Sequence, residues 1–258
     1  MLTALRIYAY WLPASPLARL QAPFEWNFLF HIWFFVIPLS ALGMGLGSLQ
    51  TYGLCFSLTP RNVGIGLAVF LPFVLFPLVG EALFAQVRLQ PRLVGHVAET
   101  LLFQFLFVAV GEELFYTGFI QGTLNDVYGR PLRWGETSYG AGAIATAVLL
   151  GIGHLLNPFK PHLGIYTLDW GAFVWTASTG FLSCLARERS GNLLVPILAH
   201  AGINAYLTLF VMDLPGRIGF FAAACVTMPL LAAWAAGPES TPCEKCEQPQ
   251  APSVSSSD

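Results

Sequence analysis

The sequence predicts an all-α fold, a polytopic transmembrane helical bundle of about seven (six to eight) spans. Hydrophobic residues make up 55% of the 258 residues and charged residues only 10%, which is too little charge for an ordinary soluble domain. The apolar residues fall into runs of about 20, the length that crosses a hydrocarbon core as a helix. The net charge of -2 gives no basic surface for phosphates, so no nucleic-acid partner is expected.

The first segment, residues 1–24, is predicted to lie at the membrane interface. It carries Arg6 and Arg19 and has no compact apolar core followed by a small-residue cleavage site, so it does not resemble a cleavable signal peptide. Trp11 and the tyrosines near it are side chains that favour the headgroup level of a bilayer. The segment is therefore interpreted as an interfacial lead-in to the membrane domain.

The transmembrane domain is predicted to occupy residues 25–236. Its apolar runs give seven candidate spans, near Trp26–Leu49, Val63–Ala85, Val97–Gln121, Tyr139–Leu156, Leu163–Ala186, Leu193–Met212 and Ile218–Ala236. Pro38, Pro72 and Pro77 fall inside these runs, where neighbouring helices tolerate the kinks that proline causes. We therefore expect a multi-pass integral membrane protein surrounded by membrane lipids, with the cell membrane as its expected location.

The composition changes abruptly after residue 236, and the segment 237–258 is too polar to bury a core. This tail is predicted to be disordered. Cys243 and Cys246 form an isolated C-x-x-C in it, and a zinc site would need two further ligands that the tail lacks. The other cysteines lie in or beside apolar runs and are interpreted as small core residues: Cys55, Cys184 and Cys225.

Two adjacent glutamates, Glu112 and Glu113, stand inside the third apolar run. A carboxylate at bilayer depth costs roughly 2.5–3.5 kcal/mol on insertion scales, and no basic residue lies within the same turn. An ionisable pair in such a position indicates a functional site. The alternative is a pair at a helix end that faces water or a polar bundle interior.

Three later polar residues also lie in apolar runs: His154, His200 and Asn204. His200 and Asn204 are four residues apart, which places them on one helix face about 6 Å apart. Because lipid does not solvate polar groups, side chains on three helices are expected to converge on the bundle interior. Taken singly, each has a structural alternative, since such residues also join helices by hydrogen bonds. The remaining histidines are interpreted as surface or interfacial residues: His31, His96 and His162.

Two carboxyl groups, two imidazoles and an amide in a water-accessible pocket suit the hydrolysis of an amide bond. Two neighbouring acids can divide into a base and a proton holder. Glu112 can remove a proton from a water that His154 orients, while His200 and the Asn204 amide stabilise the oxyanion. Adjacent residues point about 100° apart on an α-helix, so the two glutamates are not expected to reach the same atom equally.

With these motifs the sequence resembles the CAAX-processing and bacteriocin-processing (Abi-type) family of intramembrane endopeptidases. The family pattern is Glu-Glu-x-x-x-Arg, Phe-x-x-x-His and His-x-x-x-Asn or Asp on three successive helices. Glu112-Glu113, His154 and the pair His200 and Asn204 match these motifs in order, with roughly forty residues between them. The resemblance extends over about residues 50–212, and the approach to His200, Ser-Gly-Asn-Leu-Leu-Val-Pro-Ile-Leu-Ala, is also similar to that of the family.

The resemblance implies an endopeptidase that processes a CAAX-like or sorting signal at the C-terminus of a membrane-anchored or lipid-modified protein. It implies that Glu112 activates water, that Glu113 is the supporting acid and that three further residues complete the catalytic site: His154, His200 and Asn204. No cofactor is expected. The alternative is zinc held by Glu112, His154 and His200, but the glutamic mechanism is favoured for the family and no H-E-x-x-H is present.

The sequence departs from the family pattern at two positions. Thr117 stands where the family usually has arginine, and Leu150 replaces the aromatic residue four positions before the first histidine. Thr117 lies four residues after Glu113 and can hydrogen-bond it, although a hydroxyl cannot neutralise a charge. Either one glutamate is then protonated, or Arg130 or Arg133 folds back towards the pair.

Two other functions stay open at this point. The missing arginine favours a catalytically inactive member of the same fold, such as a membrane scaffold or an immunity protein. The other alternative is a proton-coupled transporter, with a proton relay formed by Glu81, Glu99, Glu112 and His200. Transporters often show repeated halves, and the sequence has no such internal symmetry.

Overall fold

A computed structural model describes residues 28–54, 59–84, 88–91, 95–158 and 166–237. The predicted interfacial segment 1–24 lies outside these ranges, as does all of the predicted tail except Gly237. Cys55, Cys243, Cys246 and His162 also fall outside the described residues.

The described chain is mostly helical. The first two helices of the described chain are α1 (Phe28–Gly43) and α2 (Pro60–Phe84). They are followed by α3 (Val97–Leu102), the π-helices π1 (Phe103–Val110) and π2 (Glu113–Ile120), and α4 (Gln121–Tyr128). The strands β1 (Leu132–Trp134) and β2 (Thr137–Tyr139) precede α5 (Ala141–Leu155), α6 (Trp170–Ser190), α7 (Leu194–Leu209) and α8 (Leu214–Ala236).

The elements α3, π1, π2 and α4 follow one another without a break, and we call the stretch 97–128 the glutamate helix. Its junction residues Leu102, Gly111 and Gln121 all keep right-handed helical dihedral angles. The predicted run ended at Gln121, whereas the helix continues seven residues further, to Tyr128. Polar side chains of this last part have buried partners on α6, so the helix does not need an apolar surface there.

Each of the seven predicted apolar runs contains a helix, with ends that differ by several residues. Two of the helices, Pro60–Phe84 and Gly216–Ala236, are long and apolar enough to cross a membrane by length and composition. Three shorter apolar helices accompany them: His31–Gly43, Ala141–Leu155 and Leu194–Leu209. A helical membrane fold agrees with these findings, and the number of about seven spans stays a prediction.

The helices pack in two groups that meet at α7. The helix α2 lies against α7 and α8, while α5 lies along α6 and against α4. Buried aromatic and aliphatic side chains of the first group include Phe73 and Tyr206, and those around the glutamate helix include Phe34 and Phe115. The glutamate helix contacts α1 on one side and α7 on the other, which brings the predicted motifs into one region.

A short hairpin of β1 and β2 is the exception to the predicted all-α fold. The residues Thr137–Tyr139 pair antiparallel with Leu132–Trp134. Tyr139, which was predicted to begin a span, is therefore in a strand. Gly135 has a φ of +58° and approaches the backbone of Ala236 too closely to leave room for a Cβ atom. A hydrogen bond from Thr137 Oγ1 to the carbonyl of Ala235 also attaches the hairpin to α8.

A buried polar network joins the C-terminal part of the glutamate helix to α6. The Glu188 carboxylate accepts hydrogen bonds from Gln121 Nε2 at 2.5 Å and Asn125 Nδ2 at 2.6 Å. It also pairs with Arg187 at 3.0 Å and with Arg130 at 2.5 Å. Because the side chain of Glu188 is only 5% exposed, these partners replace the water that a charged carboxylate would otherwise require.

The two described cysteines differ in their surroundings. Cys184 is buried on α6, as predicted for a small core residue. Cys225 is exposed on α8, so its interpretation as a core residue is wrong. It lies on the outward face of an apolar helix, where the length of the apolar run alone does not distinguish a core position from an outer one.

Candidate active site

The two glutamates lie where the glutamate helix passes from π1 to π2, and both are buried. Stretches of π-helix are rare in proteins and are frequent at functional sites. Gly111, immediately before the pair, lets α1 approach the helix, because a Cβ atom there would lie 2.8 Å from Phe35 Cε2. The close approach of α1 brings residues of that helix to the glutamates.

The ring of His200 lies between the two carboxyl groups. Its Nδ1 atom is 3.0 Å from Glu113 Oε1, and its Nε2 atom is 3.9 Å from Glu112 Oε2. The first distance is a hydrogen bond and the second is a longer contact. His200 therefore contacts both glutamates through opposite nitrogens, although adjacent residues of the helix point in different directions.

Glu113 is held at both of its oxygens. Besides the contact of Oε1 with His200, Thr117 Oγ1 donates a 2.6 Å hydrogen bond to Oε2, which confirms the bond expected from the spacing of the two residues. The expectation that an arginine folds back is wrong: Arg130 pairs with Glu188 and Arg133 with Glu136. These arginines have acidic partners of their own near the hairpin.

Glu112 keeps one oxygen free of hydrogen bonds. Its Oε2 atom is buried and has no hydrogen-bond partner among the residues that the structure describes. Its Oε1 atom is 3.6 Å from Nε2 of His31, a residue of α1. A buried, unbonded carboxylate oxygen beside an imidazole is unusual and can accept a hydrogen bond from a water molecule.

The interpretation of His31 as a surface or interfacial residue is wrong. Its side chain is 13% exposed and faces Glu112, because α1 begins at Phe28 and packs on the glutamate helix. His31 stands in an apolar run, and that signal, which identified the glutamates, could have identified it too. His96 does agree with the interpretation, since its side chain is 48% exposed.

His154 lies in the last turn of α5, which carries it to the edge of the site. Its Nδ1 atom is 3.1 Å from the carbonyl oxygen of Leu150. Because a carbonyl can only accept, Nδ1 carries the hydrogen, and Nε2 of the neutral ring is an acceptor. His154 is also near enough to Glu112 for an electrostatic interaction. Its Nε2 atom can therefore accept a hydrogen bond from a water in the cavity that His154 lines.

A cavity of about 90 Å³ lies beside these groups, which is room for several water molecules. Four of the predicted site residues line it: Glu113, His154, His200 and Asn204. The spacing of His200 and Asn204 therefore does place both on one face. Glu112 is not among the lining residues, but its Oε2 atom lies 3.9 Å from Nε2 of His200, which does line the cavity. Of the five predicted residues, four therefore line the cavity and one adjoins it.

The rest of the cavity wall is mostly less polar. The helix α6 contributes Trp175, Thr176 and Thr179, and α8 contributes Met228 and Leu231. The hydroxyls of Thr176 and Thr179 donate to carbonyls of their own helix, so only their oxygen lone pairs remain for a ligand. The cavity wall thus combines four polar site residues with a largely apolar remainder.

The described donor side chains do not form a metal site. Among the described residues no group of three or more His, Cys, Asp or Glu side chains is arranged to hold a metal ion. The alternative zinc set of Glu112, His154 and His200 is therefore not arranged as metal ligands would be. The absence of a cofactor stays a prediction.

The proposed proton relay is not supported by the positions of its members. Glu81 is exposed on α2, and the side chain of Glu99 is 57% exposed on α3. Neither residue lines the cavity beside Glu112 and His200. Only two of the four residues of the suggested relay lie together.

Comparison with known proteins gives one match. Residues 94–206 match a family described as type II CAAX prenyl endopeptidase Rce1-like. The match includes both glutamates, His154, His200 and Asn204 and leaves out α1, α2 and α8. The resemblance predicted from the motifs is confirmed for this segment, which is less than half of the chain. No curated protein and no solved structure matches the chain.

Proposed function

We propose that this protein, whose residues 94–206 belong to the Rce1-like family, is an intramembrane endopeptidase that activates water with a glutamate. Its substrate would be a membrane-anchored or lipid-modified protein, cleaved at a CAAX-like or sorting signal near its C-terminus. The observation that carries the proposal is the free Oε2 atom of Glu112, which is buried and lies 3.9 Å from Nε2 of His200.

In the first step of the proposed reaction, Glu112 is the general base. Both oxygens of Glu113 already have partners, whereas Oε2 of Glu112 can still accept a hydrogen bond. A water between Glu112 and the acceptor nitrogen of His154 is deprotonated by the carboxylate as its oxygen attacks the peptide carbonyl. General-base catalysis of this kind contributes about 10²–10⁴-fold.

The second step stabilises the charge on the carbonyl oxygen. Asn204 offers an amide N–H from the cavity wall, and His200 offers Nε2–H when both of its ring nitrogens carry hydrogen. The C–N bond then breaks, and the proton held on Glu112 passes to the leaving amine. Glu113 holds the ring of His200 through Nδ1. In this mechanism Glu113 therefore supports His200 and takes no proton from the water.

The lining of the cavity agrees with an apolar substrate segment. Beside the polar site residues, its wall includes the large apolar side chains of Trp175, Met228 and Leu231. The apolar helices around it favour substrates that are already at the membrane. A C-terminal peptide with a lipid anchor and aliphatic residues after the cleaved bond has this chemistry.

The test uses the purified full-length protein in lipid nanodiscs with a set of prenylated and unlipidated C-terminal peptides. Wild type is compared with Glu112→Gln and His200→Ala, and Glu99→Gln serves as the control, since it changes an exposed acid on the same helix. We expect Glu112→Gln to lower turnover by about 10²–10⁴-fold and Glu99→Gln to leave it unchanged.

Three results would contradict the proposal. A loss below about tenfold in Glu112→Gln would mean that another group is the base. No cleavage of any peptide by the wild type would favour the inactive scaffold or immunity protein, which the threonine at position 117 also favours. Proton flux into liposomes without cleavage would favour the transporter.

A further inference from the structure

His31 is the part of the site that comes from outside the segment matched by the family, which begins at residue 94. It lies on α1, its side chain is 13% exposed, and its Nε2 atom is 3.6 Å from Glu112 Oε1. This distance is longer than a hydrogen bond of full strength. Such contacts at catalytic groups are often long before substrate binds.

Aromatic rings fix the orientation of the His31 imidazole from two sides. The ring of Phe34, one turn along α1, meets it edge-to-face at 5.7 Å and 76°. The ring of Phe103, in π1, meets it at 5.5 Å and 80°. Edge-to-face packing of this kind restricts ring rotation. The imidazole therefore has a fixed edge to present to Glu112.

The groups around Glu112 show which of its oxygens the His31 imidazole faces. The ionisable groups that act on its carboxyl come from three elements: His31 of α1, His154 of α5 and His200 of α7. His31 faces Oε1, whereas Oε2 points towards His200 and has no hydrogen bond in the described part of the chain. A carboxyl group held at one oxygen has its other oxygen in a defined position.

We propose that His31 is a positioning residue for Glu112. The donor on Nε2 holds Oε1, so that Oε2 faces the water to be deprotonated. This role rests on the proposed function. It assigns a part in the reaction to α1, and it explains why Gly111 is needed, because a side chain there would push α1 and His31 away from the carboxyl.

The competing explanation is packing, in which the imidazole only fills space between Phe34 and Phe103. The two explanations differ in what they predict for shape and for hydrogen bonding. His31→Phe keeps an aromatic ring and removes the N–H donor. His31→Gln removes the ring but keeps an N–H donor, which belongs to the side-chain amide. His96→Asn is the matched control, because His96 is exposed and pairs with Glu99 instead of Glu112.

The experiment measures kcat and KM for the peptide that the wild type cleaves best, together with the Tm of each variant. We expect His31→Phe to lower kcat by about 10–100-fold, the size of a lost hydrogen bond to a charged group, with KM within about twofold of wild type. His31→Gln should recover at least part of this loss. His96→Asn should have the kcat of the wild type.

Each outcome bears on a stated part of the proposal. Wild-type kcat in His31→Phe, alongside an inactive Glu112→Gln, would overturn the role of His31 and leave the proposed function intact. If His31→Phe and His31→Gln lose kcat equally and both have a lowered Tm, His31 has a packing role. That result would also overturn its role as a positioning residue. If the wild type cleaves nothing, or if Glu112→Gln is fully active, the proposed function and the role of His31 both fail.

Discussion

The hydroxyl of Thr117 donates a 2.6 Å hydrogen bond to Glu113 Oε2, one helical turn away. His200 takes the other oxygen of the same carboxyl group. Glu113 is therefore fully engaged, while Glu112 retains an oxygen without a hydrogen bond among the described residues. The two adjacent glutamates thus differ in how many of their oxygens are hydrogen-bonded. This difference is the reason for proposing Glu112 as the base and Glu113 as the supporting acid.

Thr117→Val removes the donor to Glu113 and keeps the branched shape. We expect kcat to fall by about tenfold, because a hydrogen bond to a charged group contributes about 1.5–3 kcal/mol and the bond to His200 remains. Thr117→Ser keeps the hydroxyl and should stay within about threefold of wild type. The measurement is the cleavage rate at saturating substrate, and equal rates for the valine variant and the wild type would show that Glu113 needs no such anchor.

Asn204→Ala removes the amide assigned to the oxyanion. Loss of one oxyanion donor lowers kcat by about 10²–10³-fold in other hydrolases, and we expect the same here with little change in KM. Leu207→Ala is the companion variant, since Leu207 lines the cavity without a polar group and should change KM more than kcat. A rise in KM alone in Asn204→Ala would assign the amide to substrate binding.

Chelators are expected to leave cleavage unchanged. No group of three or more His, Cys, Asp or Glu side chains in the described part of the chain is arranged to hold a metal ion. Turnover after dialysis against EDTA and then 1,10-phenanthroline measures this directly. Activity that disappears and returns with added Zn²⁺ would restore the alternative set of Glu112, His154 and His200.

Glu188→Gln should destabilise the protein through the polar network. The buried Arg187 would lose its acid, and breaking a buried ion pair costs roughly 3–5 kcal/mol. Glu136→Gln is the control, because the pair of Glu136 with Arg133 is exposed and exposed pairs contribute little. Thermal unfolding in detergent measures both variants, and an equal Tm for the two would show that the network does not stabilise the fold.

Gly122→Ala should also lower the Tm, by crowding of the backbone. A Cβ atom at this position would lie 2.3 Å from the carbonyl oxygen of Thr51, in the loop that follows α1. Relief of such an overlap requires a backbone shift, typically at a cost of about 1–3 kcal/mol. Gly64→Ala tests the same change in α2, where the space around Cβ is open, and should leave the Tm unchanged or raise it.

The residues of the site that the sequence predicted were found by their polarity in apolar surroundings. Glu112, Glu113, His154, His200 and Asn204 all lie at or beside the cavity because lipid offers polar groups no partner. The bond of Thr117 to Glu113 followed from a spacing of four residues on a helix. Local spacing and the cost of burial were sufficient for these inferences.

The features that the sequence did not predict depend on contacts between distant segments. The position of His31 in an apolar run indicates a buried polar residue, but its contact with Glu112 depends on the packing of α1 against the glutamate helix at Gly111. The extension of the glutamate helix to Tyr128 depends on Glu188, more than sixty residues after Gln121. The π-helices change the direction of side chains in a way that an ideal α-helical period does not describe.

The network at Glu188 has a consequence for how a peptide reaches the cavity. Glu188 joins α4 to α6, and α6 also provides the cavity wall at Thr176 and Thr179. This network therefore joins the helix of the two glutamates to the helix of that wall at a place outside the cavity. If the proposed peptide substrate binds there, we expect it to adapt to the spacing of these two helices rather than to separate them.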